Sequence, residues 1–78
     1  MPRYTKTQGR YLAFIHYYTK LHGQPPSESD MQRHFGVTPP TVHQMVLILE
    51  RNGLIARSVG QARSIRVLLA AHDIPNLE

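Results

Sequence analysis

Helical periodicity in this chain is broken by glycine at Gly23, Gly36 and Gly53, and it does not resume after the third break. Within 78 residues that punctuation allows only short helices, followed by something that is not a helix. Thr5 to His22 is the first helical candidate. Thr5 and Gln8 stand at capping-box spacing. Tyr11, Phe14, Ile15 and Tyr18 recur at i, i+3, i+4, i+7, the pattern of one helical face, and Leu12 and Leu21 widen the stripe. Gly23 can end the helix in a left-handed conformation, and Pro25-Pro26 prevents its continuation.

Ser27 reads as the N-cap of a short second helix, with Glu28 and Asp30 in its first turn, where the helix dipole favours acids. Met31 and Phe35 supply its buried face, Gly36 stops it, and Val37 packs back on the core. Thr38 reads as the next N-cap, ahead of Pro39-Pro40. Proline suits a first turn, whose N–H groups have no intrahelical partner. It also disfavours helical geometry in the residue before it, so the start can slip by one position. The third helix runs to about Asn52, with Val42, Met45, Val46 and Leu49 facing inward.

Beyond Gly53 the period changes. Leu54 to Ser58 suits a short strand, Val59-Gly60-Gln61-Ala62 a turn, and Arg63 to Leu68 a second strand with Ile65 and Val67 on one side. A lone hairpin is marginal in water, so this one must pack on the helices. Helices two and three are joined through Gly36 at helix-turn-helix spacing. The expected fold class is α+β, mainly α: a three-helix winged helix-turn-helix with a C-terminal two-stranded β-hairpin wing. Residues 1–69 form that domain, and 70–78 are expected to be a flexible C-terminal tail.

Composition excludes several function classes. With no cysteine there is no disulfide and no Cys-based zinc site or nucleophile, which favours a reducing, cytoplasmic location. No apolar stretch approaches the roughly 20 residues of a membrane span. The histidines His16, His22, His34, His43 and His72 show no metal-ligand spacing. There is no phosphate-binding glycine loop, and a chain this short has little room for a substrate cleft. We therefore expect no enzyme activity, no cofactor, no metal and no small-molecule substrate. Nine Lys and Arg against five Asp and Glu give a net charge of +4, which points to an anionic partner, nucleic acid ahead of a membrane surface. Tyr4, Tyr11, Tyr17 and Tyr18 lie amid Arg3, Lys6 and Arg10, a mix used to stack single-stranded bases. Tyr11 and Tyr18 are core by periodicity, which leaves only Tyr4 and Tyr17 for the surface.

Gly23-Gln24-Pro25-Pro26-Ser27, Phe35-Gly36, Thr41-Val42-His43, Leu49-Glu50-Arg51-Asn52-Gly53-Leu54-Ile55 and Arg63-Ser64-Ile65-Arg66 follow one another in order. Together they resemble the N-terminal DNA-binding domain of LexA-type SOS repressors, over about Thr7 to Leu68. The resemblance implies a winged helix whose third helix enters the major groove of double-stranded DNA and whose wing meets the minor groove. It also implies transcriptional regulation, with repression the simplest output. The family's parent protein carries a C-terminal self-cleaving serine peptidase that makes the main dimer contact. No cleavage site or Ser/Lys dyad follows Leu68, so that switch is not carried over, and the chain is either an excised domain or a small stand-alone relative. Pro40 departs from the Ser or Asn of relatives and points to a different sequence preference.

On a wheel of about 100° per residue, Pro40, Gln44, Leu47 and Arg51 lie opposite Val42, flanked by Thr41 and His43. Recognition helices present their N-terminal residues to base edges, which selects Pro40, Thr41, His43 and Gln44. Gln44 can bond adenine N6 and N7 together. Thr41 suits a thymine methyl or a phosphate, His43 a guanine or a phosphate, and Pro40 van der Waals contact alone. The plainer readings are a solvated helix residue for Gln44 and His43, and a first-turn residue bonding locally for Thr41. Arg51, Arg57, Arg63 and Arg66 are phosphate or minor-groove candidates, with Gly60, Gln61 and Ala62 at the wing tip and Lys6 and Arg10 on the first helix. Five neutralised phosphates would give log K against log salt a slope near −4 to −5. The wheel exposes Leu47, with Ile48 beside it, as a contact for a homodimer on a two-fold operator or for a partner. That patch also supports the rival function, a winged-helix protein-docking module without sequence-specific DNA binding.

Overall fold

A computed structural model describes residues 3–77, so the first two residues of the expected domain and Glu78 of the expected tail lie outside the described residues. Three helices come first, α1 (Lys6–His22), α2 (Glu28–Phe35) and α3 (Pro39–Arg51), then two short strands, β1 (Ile55–Ala56) and β2 (Arg66–Val67). The strands pair antiparallel, with Ile55 opposite Val67 and Ala56 opposite Arg66. α2 packs against α3, and β2 lies against α1.

The helix ends follow the local chemistry of the sequence. Thr5 Oγ1 accepts from the Gln8 N–H at 3.1 Å, and the Gln8 side chain accepts from the Thr5 N–H at 3.0 Å. Ser27 and Asp30 repeat this reciprocal cap at the start of α2, at 3.1 and 2.9 Å. Two of the initial N–H groups of each helix are thereby satisfied. Thr38 precedes α3 without a side-chain cap, because prolines fill the first two helical positions. They carry no N–H to donate, and the Thr41 N–H is taken by the Thr38 carbonyl at 3.1 Å. The start does not slip, since Pro39 is the first helical residue. Gly36 takes the left-handed conformation (φ 65°) that turns the chain from α2 into α3, a backbone shape open to glycine at no steric cost.

The core is the set the periodicities select. Tyr11, Leu12, Phe14 and Ile15 of α1 meet Met31 of α2, Val42, Val46 and Leu49 of α3, and Leu54, Ile55 and Ile65 of the hairpin. Phe35 stacks on Tyr11 with ring centroids 4.2 Å apart. Tyr4, Tyr18, Val37 and Met45 are partly buried against this cluster. Leu21 does not join it. It is 80% exposed, because α1 runs beyond the core before Gly23 ends it.

The hairpin is shorter than its alternating pattern suggests. Only two residue pairs form a ladder, and Arg63, expected within the second strand, has a φ of 54° incompatible with extended backbone. Ser64 ties the loop instead, accepting from the Ser58 N–H at 3.0 Å, with its hydroxyl 3.1 Å from the Ser58 carbonyl and 3.0 Å from that of Gln61. The segment after Leu69 is packed where it is described. One 3-10 turn covers Ala71–Asp73, Ile74 is buried, and the Tyr4 hydroxyl donates to the Asp73 carbonyl at 2.6 Å. Gly9 is what lets the two ends meet, since a Cβ there would lie 3.0 Å from the Tyr4 ring and 3.2 Å from Pro75.

Candidate nucleic-acid interface

The N-terminal half of α3 presents Pro40, Thr41, His43 and Gln44 to solvent, as the helical wheel requires. The Thr41 hydroxyl lies 3.0 Å from that of Thr38. His43 Nδ1 lies 3.3 Å from both carboxylate oxygens of Glu28 at the start of α2. The imidazole is therefore oriented by the neighbouring helix, a partnership between residues 15 positions apart that spacing does not reveal. Leu47, exposed on the wheel, is half-buried, and Ile48 is partly exposed as its place on the wheel implies. The open hollow on this side of α3 is lined by Pro40, Thr41, Gln44, Met45 and Ile48, so the apolar surface begins nearer the helix start than Leu47.

The expected cations divide into two groups. Arg51 and Arg66 are exposed, as are Lys6 and Arg10 on α1. Arg57 is largely covered, with its side chain 18% exposed and its Nε donating to Glu50 Oε1 at 3.2 Å. Arg63 lies across the body of the domain with its side chain 36% exposed. Its Nη1 lies 2.9 Å from Asp30 Oδ2, 3.3 Å from the Tyr18 hydroxyl and 3.3 Å from the Pro25 carbonyl. The wing tip, Gly60, Gln61 and Ala62, borders a cleft whose other wall is the start of α2, from Pro26 to Glu28. Lys6 and Arg10 lie instead beside Pro75 and Asn76, around the packed C-terminal segment.

Asp30 is the buried acid beneath this cleft, only 8% exposed. It accepts from the Ser27 N–H and pairs with Arg33 as well as Arg63. The bond from Ser27 lowers its pKa to about 2, helped by the hydroxyls of Ser27 and Tyr18 and by the charge of Arg63, against the opposing effect of burial. Arg63 is held more firmly protonated, chiefly by its bond to Tyr18 and then by the charge of Asp30. The sequence shows Asp30 only as a helix-dipole partner. Its position three residues after Ser27 was the signal for the cap, but nothing local marks Arg63 as its ion-pair partner. Among the described residues no group of three or more His, Cys, Asp or Glu is placed to hold a metal ion, and no helix is long and apolar enough to cross a membrane.

A short helix, a three-residue turn through Gly36, a second helix with its N-terminal face open, and a C-terminal hairpin define a winged helix-turn-helix. The LexA DNA binding domain family model matches residues 1–64, and the chain belongs to that family. It is 37% identical over 74 residues to a LexA repressor of Thermosipho melanesiensis, covering 95% of this chain and 37% of the relative. A LexA repressor of Thermosipho africanus is 38% identical over 68 residues, covering 87% of this chain and 34% of the relative. One of Verrucomicrobium spinosum is 39% identical over 62 residues, covering 78% and 31%. The chain thus spans about a third of the length of the curated relatives it matches, from 31% to 37% for these three.

Proposed function

We propose that this domain binds double-stranded DNA sequence-specifically and acts in transcriptional repression, in the cytoplasm, with α3 in the major groove and the wing against the minor groove. The observation that carries the reading is the open N-terminal face of α3, where Pro40, Thr41 and Gln44 stand exposed together on a LexA-family scaffold. Gln44 is the base reader, suited to adenine N6 and N7. Pro40 and the Thr41 methyl offer apolar contact, and His43, braced by Glu28, reaches a base or phosphate beside them. Arg51, Arg66, Lys6 and Arg10 supply phosphate contacts, which set register and affinity rather than sequence. One small module binds weakly alone, so useful specificity requires two copies on a two-fold operator. Repression then follows from occupying a promoter.

Selection from a random duplex library at moderate salt tests this directly, and the expected result is one enriched motif with two-fold symmetry. With about four exposed cations engaged, log K should fall with log salt at a slope near −3 to −4. The apolar hollow formed by Pro40, Met45 and Ile48 favours a second reading, docking to a protein. A folded protein that retains no duplex would overturn DNA binding in favour of that reading.

A further inference from the structure

Within the wing, β1 and β2 share only a short ladder, two residue pairs among the described residues. A hairpin of that size does not hold its own orientation in water. The bonds of Ser64 to Ser58 and Gln61 stay within the loop. Buried Ile55 and Ile65 seat the hairpin on the core, and Arg57 ties the end of β1 to Glu50. From the loop itself, Arg63 makes the connection to the helices. Its left-handed backbone, at φ 54°, is disfavoured for a residue with a Cβ. That conformation carries the guanidinium to three separate parts of the body: Tyr18 on α1, the Pro25 carbonyl between α1 and α2, and Asp30 on α2. The Asp30 oxygen that receives Arg63 also accepts from the Ser27 N–H. One carboxylate therefore caps the first helix of the helix-turn-helix and anchors the wing.

Resting on the DNA-binding reading above, we propose that Arg63 is a positioning residue rather than a DNA contact: latched to Asp30, Tyr18 and Pro25, it sets the angle at which Gly60, Gln61 and Ala62 meet the duplex. Asp30 and Arg63 then act as a unit. The sign of one substitution separates this from simple electrostatics. Removing an acid from a protein that binds a polyanion ordinarily tightens binding. The latch requires that removing the charge of Asp30 weaken it.

The test compares the parent with Asp30→Asn, Arg63→Gly and the double variant, on a duplex that the parent enriches from a random library. Glycine accepts the positive φ without strain, so Arg63→Gly removes the guanidinium while leaving the turn intact. Each single variant should lose about tenfold in affinity, the scale of one ordered contact. The double variant should be no weaker than the weaker single. In hydroxyl-radical footprints, protection where α3 lies should persist while protection at the wing flank is lost, a pattern that general destabilisation would not give. Asp30→Asn binding as tightly as the parent or tighter, single losses that multiply, or a uniformly fainter footprint would each overturn the latch. If Asp30→Asn does not fold, Tyr18→Phe takes its place. It removes a latch partner on α1 without touching the wing and should give the same selective loss at the wing flank, whereas an unchanged footprint overturns the latch. A folded parent that enriches no duplex overturns the DNA-binding reading itself, and the latch with it.

Discussion

Asp30 shows how one residue can serve two levels of structure. Its carboxylate closes the α2 cap and pairs with Arg33 and Arg63 from a buried position. Because its folded pKa of about 2 lies below the ordinary unfolded value near 3.9, its contribution is fully present above about pH 4. It is lost as the pH falls from there towards 2. Calorimetry should therefore show a melting temperature that drops steeply below pH 4. Asp30→Asn should cost about 1–3 kcal/mol at neutral pH and flatten that acid limb, because it removes the group that titrates. An unchanged acid limb in the variant would assign the effect to other carboxylates. Of the capping half, Ser27 as N-cap and Asp30 as a first-turn acid are legible in the sequence, and their spacing of three is the signal that joins them into a reciprocal cap. The ion-pair half is not, because Arg63 lies 33 positions away and reaches Asp30 only through a left-handed backbone.

At the scale of elements, the three N-termini look alike in sequence and differ in structure. Ser27 makes a side-chain cap and Thr38 does not, since Pro39 and Pro40 leave its hydroxyl no free N–H of the first turn to receive. Ser27→Ala should therefore cost about 1 kcal/mol in urea unfolding. Thr38→Ala should cost clearly less, losing only its exposed contact with Thr41. Equal losses would contradict this account of the caps. Helices α1 to α3 are legible because capping, glycine stops and apolar spacing agree at each. The strands are shorter than the alternating pattern implies, for a physical reason. The alternation of Ile65 and Val67 records which side chains point inward, whereas the bonding around Ser58 to Ser64 passes through a serine hydroxyl. The outward face of α3 is legible at Pro40, Thr41, His43 and Gln44. The half-burial of Leu47 is not, because a wheel carries no information about neighbouring elements.

Across the whole molecule, both ends of the described chain meet at α1. Tyr4 bonds to Asp73, Pro75 lies over Gly9, and Ile74 is buried. Truncation after Leu69 should lower the melting temperature by several degrees, since a fully buried Ile side chain contributes about 1.5–3 kcal/mol. No change on truncation would mean that the packed segment adds nothing to stability. No turn residue or period announces this packing, because Tyr4 and Asp73 are 69 positions apart. The exposed N-terminal face of α3 and the wing stand on this frame, and the proposed function rests on sequence-specific DNA binding through α3. Its most direct test is library selection run side by side with the parent and with Gln44→Ala. The parent should enrich one motif, and the variant the same motif with preference relaxed at a single base pair, a cost of about 1–3 kcal/mol there. Enrichment of no motif by the folded parent, or a variant motif identical at every position, would contradict it.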